Sequence, residues 1–230
     1  MVKNMGKILI PANGPADWQQ FLAEPAKQWK RGYSARTLAH CWHDADGFPK
    51  EVHAVLTAAD PFRDIELLVA IPEHKVPLPP VNAQASQNDI WVLARCATGL
   101  VSIAVEGKVG EPFGETVSEW MATPTSVKKK RFEFLGSTLC IGSTLPGDIR
   151  YQLLHRTASA IIEAKRYCAQ HAVLMVHSFS QNDQWFEDYA KFVRLFGAEG
   201  THNKVVTAEN RDGIQFHFVW VRGNEKYLNE

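Results

Sequence analysis

The chain has 230 residues, 45% hydrophobic and 22% charged, with 25 Lys+Arg against 25 Asp+Glu. This is an ordinary globular composition, and its zero formal net charge speaks against a generic electrostatic grip on a polyanion. No apolar run approaches the ~20 residues of a membrane span, and Cys41, Cys96, Cys140 and Cys168 form no CxxC and suggest no disulfide framework.

The N-terminal stretch carries two lysines and the patch Ile8-Leu9-Ile10, too short for a signal peptide. Each cysteine falls in an apolar segment and reads as a buried free thiol, so a cytoplasmic location is expected. Residues 15–29 read as a helix with Trp18, Phe21, Leu22 and Ala26 on one side. Ser34 is a good N-cap for a helix over 35–44, which Gly47-Phe48-Pro49 breaks. Pro49 then opens a helix over 50–59. A first strand is expected over 64–71, ended by the prolines at 72, 77, 79 and 80, with a loop over 77–86 that is free to border a site.

Two apolar runs follow, Ile90-Trp91-Val92-Leu93-Ala94-Arg95 and Leu100-Val101-Ser102-Ile103-Ala104-Val105. Cys96 to Gly99 joins them, and Gly99 offers the positive φ a hairpin turn favours. Runs so continuously apolar predict strands covered on both faces. Folded about Ala97-Thr98, the hairpin sets Asp89 opposite Glu106, and Lys108 shares the face of Glu106. Two carboxylates and an ammonium then meet at one sheet end. Such a pair raises one pKa or recruits a cation, and Mg²⁺ or Mn²⁺ suits one or two carboxylates plus water. The plainer alternative is a strand-end ion pair between Glu106 and Lys108, with Asp89 capping a turn.

Further along, 115–121 and 126–140 look helical, and Lys128-Lys129-Lys130-Arg131 reads as the solvated start of the second helix more than as a phosphate contact. The longest helix is expected over 149–170, with Gln152 and Arg156 one turn apart. Arg156 has Asp148 and the Glu163 side as alternative partners. A strand over 171–179, a helix over 185–196 and strands over 204–208 and 214–221 follow, the last two around the turn Asn210-Arg211-Asp212-Gly213. Glu66 and the histidines His40, His43, His53 and His177 offer further ligand types without a converging spacing. No nucleophile elbow, dinucleotide fingerprint or phosphate-binding loop is present. Seven tryptophans exceed what a small core absorbs, which suggests a self-associating surface and a homodimer.

The order Asp89, hairpin, Glu106-Gly107-Lys108 resembles the signature of the PD-(D/E)XK, or restriction-endonuclease-like, superfamily. Gln87-Asn88 replaces the proline that often precedes the aspartate. Over residues 34–179 the resemblance implies an α/β fold: a mixed sheet flanked by helices, with an αβββαβ core. Residues 1–33 would be an N-terminal helical extension and 180–230 a C-terminal helix and strands of the same single domain. It further implies a metal-dependent phosphodiester hydrolase acting on nucleic acid. Asp89 and Glu106 would hold Mg²⁺ or Mn²⁺ and Lys108 would position water, with possible support from Glu51, Gln152 and Arg156. Removing Asp89, Glu106 or Lys108 is expected to abolish cleavage with little change in melting temperature. The alternative is a non-catalytic binding or assembly protein that keeps the fold. The wording around Val105-Glu106-Gly107-Lys108-Val109 and Ile149 to Arg156 also resembles a bacterial family of unknown function.

Overall fold

A computed structural model describes residues 6–45, 47–81, 83–142, 145–208 and 212–230. Residues 1–5 of the N-terminal stretch, position 82 of the expected loop, and Asn210 and Arg211 of the expected turn lie outside the described residues. A six-stranded mixed sheet, in the order β1-β2-β3-β4-β6-β5, runs through the middle. Its strands are β1 Glu66–Val76, β2 Ser86–Cys96, β3 Gly99–Lys108, β4 His171–Ser178, β5 Val205–Thr207 and β6 Gln215–Arg222. β1 to β3 form an antiparallel meander, β3, β4 and β6 run parallel, and β5 pairs antiparallel with β6.

Helices cover both faces. They are α1 Pro25–Gln28, α2 Ser34–Ala45, α3 Lys50–Thr57, α4 Val117–Trp120, α5 Ser126–Leu139, α6 Tyr151–Arg166 and α7 Phe186–Arg194. Trp42, Val52, Leu56 and Phe62 pack one face together with Ile103 and Val105 of β3. Leu153, Leu154, Ile161 and Phe192 pack the other, together with Ala104. Each of these large side chains contributes about 1.5–3 kcal/mol by leaving water. The alternation along β3 then sends Glu106 and Lys108 to the α6 face and Gly107 toward α2, where Leu38 lies 3.2 Å from where a Cβ would stand.

The mixed sheet flanked by helices agrees with the sequence at that level of detail. Three elements differ. The N-terminal helix expected over 15–29 is a 3₁₀ stretch Pro15–Phe21 and the single turn α1, because Pro25 disfavours helical geometry at Glu24 before it. β1 does not stop at Pro72 but runs through it, since β1 is an edge strand where a missing N–H is tolerated. α6 ends at Arg166, where Cys168 takes φ +53° and Ala169 N donates to Ala164 O at 2.8 Å, the closure of a Schellman motif.

That closure turns Cys168 outward. Only Cys41 is buried as expected, whereas Cys96 is half-buried and Cys140 and Cys168 are exposed. The tryptophans are absorbed largely by the two cores. Trp18, Trp42, Trp91 and Trp220 are buried, and Trp29, Trp120 and Trp185 are half-buried, so none forms an exposed apolar patch. Two packed faces need more aromatic filling than one core would. No described helix is long and apolar enough to cross a membrane.

Candidate functional site

The β2–β3 ladder runs from Cys96↔Gly99 to Ile90↔Val105. Beyond its open end, Asp89 Oδ2 accepts the Gly107 N–H at 2.7 Å. α6 lies over this end and delivers Gln152 and Arg156. Lys108 Nζ donates to Glu106 Oε1 at 2.5 Å and to Gln152 Oε1 at 3.4 Å. Gln152 Nε2 donates to Glu106 Oε1 at 2.8 Å, and Arg156 Nε donates to Glu106 Oε2 at 2.6 Å. The Arg156 guanidinium also reaches to 3.7 Å from Asp89 Oδ1.

Asp89, Glu106, Lys108, Gln152 and Arg156 therefore come together, and Arg156 joins the two carboxylates. Its alternative partners are taken elsewhere: Lys191 binds Asp148 at 3.1 Å and Arg166 binds Glu163 at 3.5 Å. Glu106 and Lys108 are buried, whereas the Asp89 side chain is 22% exposed. It lines a groove of about 570 Å³ together with Gln152 and Arg156.

A sixth member was not foreseen. Glu73 lies on β1 between the pairs Pro72↔Ile90 and His74↔Asn88, across from Asp89, and lines the same groove. It is a non-glycine residue at φ +54°, a conformation that is costly and concentrates at functional sites. Its Oε2 accepts from Gln87 Nε2 at 2.6 Å. The proline signal that ended β1 too early hid it. Ser86 and His155 also border the groove, with Ser86 Oγ 2.8 Å from His155 Nδ1 and 3.3 Å from an Arg156 nitrogen.

Three carboxylates thus face two cations, and the shortage of positive charge shows in their protonation. Burial, then the Glu106 charge, pushes Asp89 up to about 7. Burial, then Asp89, pushes Glu73 up to about 8. Burial acts the same way on Glu106, but the Arg156 and Lys108 charges outweigh it and hold that carboxyl low. Burial, then Arg156, keeps His155 well below the usual histidine range.

Glu51 is not part of the cluster. It stands on the opposite face of the sheet, where its Oε1 lies 3.5 Å from His177 Nε2 and 3.6 Å from Cys41 Sγ and accepts the Asn224 N–H at 3.3 Å. The sequence placed it on a helix but carried no signal for which layer that helix joins. Cys41, Glu51 and His177 form the one group of three potential ligands close enough for a metal among the described residues. The hydrogen bonding argues against an ion there. Trp42 Nε1, a donor only, points at His177 Nδ1 at 3.1 Å. The neutral ring must therefore carry its proton on Nε2, the nitrogen facing Glu51, which leaves no lone pair for a metal.

The other candidates are placed in ordinary contacts. Glu66 is paired with Arg95 at 2.6 Å and Lys7 at 3.6 Å, and His43 accepts from Trp18 Nε1 at 3.3 Å. His40 stacks on Trp29.

A family model described as a domain of unknown function, DUF6946, matches residues 11–225. Comparison with curated proteins and with solved structures gives no match.

Proposed function

The chain belongs to the DUF6946 family, and from the geometry of its charged cluster we propose that it is a metal-dependent phosphodiester hydrolase with a restriction-endonuclease-like core. One observation carries this reading. Asp89, a carboxylate short of positive charge, opens into a groove beside Glu106 and Lys108, at the tips of adjacent strands and under the helix that follows them. The order meander, crossover helix, parallel strand supports the same core.

The donor set fits a hard divalent ion in part. Asp89 and Glu73 face the groove with oxygen ligands of the kind Mg²⁺ or Mn²⁺ takes alongside water. Both Glu106 oxygens are already engaged, so Glu106 becomes a ligand only when Arg156 releases Oε2. Held by Asp89 and Glu73, such an ion would supply a lowered water pKa and offset charge on phosphoryl oxygens. Lys108, fixed by Glu106 and Gln152, orients water. Arg156, freed from the carboxylates, meets the phosphate as a planar fork.

The saturation of Glu106 favours a second reading, a nucleic-acid-binding or assembly protein without catalysis. Calorimetric titration with Mn²⁺ and a cleavage assay separate the two. Metal binding that disappears in Asp89→Asn, together with cleavage lost in Asp89→Asn and Lys108→Met, is the outcome expected of the hydrolase. Wild-type protein that binds no divalent ion and cuts no duplex, single-stranded or structured substrate leaves only the second reading.

A further inference from the structure

The basic run Lys128 to Arg131 belongs to the groove more than the sequence suggests. Lys128 and Arg131, one helical turn apart on α5, both line it. Arg131 is buried and donates to the carbonyls of Pro79 at 2.5 Å, Leu78 at 3.0 Å and Gln84 at 2.9 Å, holding the loop that borders the groove. Its partners are these carbonyls and the Tyr151 side chain, none of them an anion, an unusual state for a buried cation. Lys128 places its ammonium 5.3 Å from the centroid of Trp120. Trp120 stacks face to face on Tyr151, centroids 4.0 Å apart and planes 10° apart, and both rings line the groove.

We propose that this groove takes a single-stranded segment of nucleic acid, with a base taking the Trp120 face that the Lys128 ammonium now covers and its phosphates against the displaced Lys128 and against Arg131. The inference rests on the nucleic-acid reading above and narrows its substrate. A chain whose 25 Lys+Arg are balanced by 25 Asp+Glu has no net charge with which to attract the dense phosphates of a duplex, whose bases are stacked on one another and cannot meet a side-chain ring. A single strand presents base faces, and each base stacked on an aromatic side chain supplies affinity that needs no net charge. The groove, about 570 Å³, is of the size that holds a nucleotide-sized ligand.

Fluorescence anisotropy with a labelled oligonucleotide of roughly 12 nucleotides, offered as single strand and as duplex in deoxy and ribo forms, tests this. EDTA is present, so binding is read without cleavage. The single strand, in at least one of the two sugar forms, is expected to bind about tenfold more tightly than the duplex. Trp120→Ala should weaken it about tenfold and Trp120→Phe should restore it, while Lys128→Ala should lower the salt slope by about one. If Trp120→Ala fails to fold by circular dichroism, Lys128→Glu at the rim replaces it. Duplex bound as tightly as single strand, binding indifferent to both variants, or no binding of either form at low salt overturns the proposal. A Mn²⁺ cleavage assay on the same oligonucleotides reports on the hydrolase alone: binding without cleavage removes catalysis and leaves the ligand standing.

Discussion

Replacing Arg156 by methionine keeps most of the side-chain volume and removes the cation that joins Asp89 to Glu106. Glu106, 2% exposed, then loses its 2.6 Å donor on Oε2 and keeps only Lys108 and Gln152 on Oε1. Breaking a buried pair from one side costs about 3–5 kcal/mol. The surviving Lys108 contact puts Arg156→Met at the low end, about 3 kcal/mol. For a chain of this length that is a fall in melting temperature of about 6–12 °C. Urea unfolding at pH 7.5 measures it. The same experiment with a divalent ion probes the seat. Mn²⁺ at about a hundred times its dissociation constant returns about 2.7 kcal/mol by linkage, most of the loss, if the freed carboxylates accept it. A loss under about 1 kcal/mol means Arg156 is not holding the carboxylates. A full loss that neither Mn²⁺ nor Mg²⁺ repairs means they are no metal seat. The same burial argues against the expectation of unchanged melting temperatures: truncating Glu106 strands Lys108, truncating Lys108 takes one of the two cations from Glu106, and Asp89 is the most exposed of the three.

Asp89 also sets a pH dependence. Its carboxyl is raised in the fold from 3.8 to about 7, so the stability it contributes is full below 3.8 and lost as pH rises through about 7. Asp89→Asn is neutral throughout and should gain about 2–3 kcal/mol on wild type between pH 5 and pH 8; parallel stability–pH curves for the two proteins in denaturant titrations refute the shift. At the opposite face, Zn²⁺ or a chelator should leave the melting temperature of the wild type unchanged, because the His177 proton sits on the nitrogen facing Glu51. A Zn²⁺-dependent rise lost in Cys41→Ala contradicts that tautomer.

The meander was legible because its determinants are local. Two apolar runs flank Gly99, which adopts φ +134°, and pairing across a short turn follows from the alternation of side chains. That local pairing also sufficed to put Asp89, Glu106 and Lys108 at one end. Arg156 was ambiguous because a helix face shows which residues travel together, not which neighbour they reach; Asp148 and Glu163 were equally near in sequence. Glu73 and Arg131 were illegible for a related reason. One depends on a proline tolerated at a sheet edge, and the other on a loop closing over the end of a helix. Glu51 shows the same limit from the other side, as its helix packs under the sheet and not over it.

The crossover between β3 and β4 contains α4, α5 and α6, so the strand carrying Glu106 waits for a distant segment to complete its parallel side. The meander can close within about 1–10 μs, whereas non-local parallel pairing is slow. In that interval the Ala104 and Glu106 face of β3 lies uncovered, and the strand's outer edge is open to any other chain. The docking of α6 does two things at once: it covers that face of the strand and brings Gln152 and Arg156 to a carboxylate that until then was hydrated. A ribosome-bound chain that has emerged only as far as Lys108 is therefore the form most prone to edge-to-edge association, and the exposure ends when β4 follows the helices and pairs with β3.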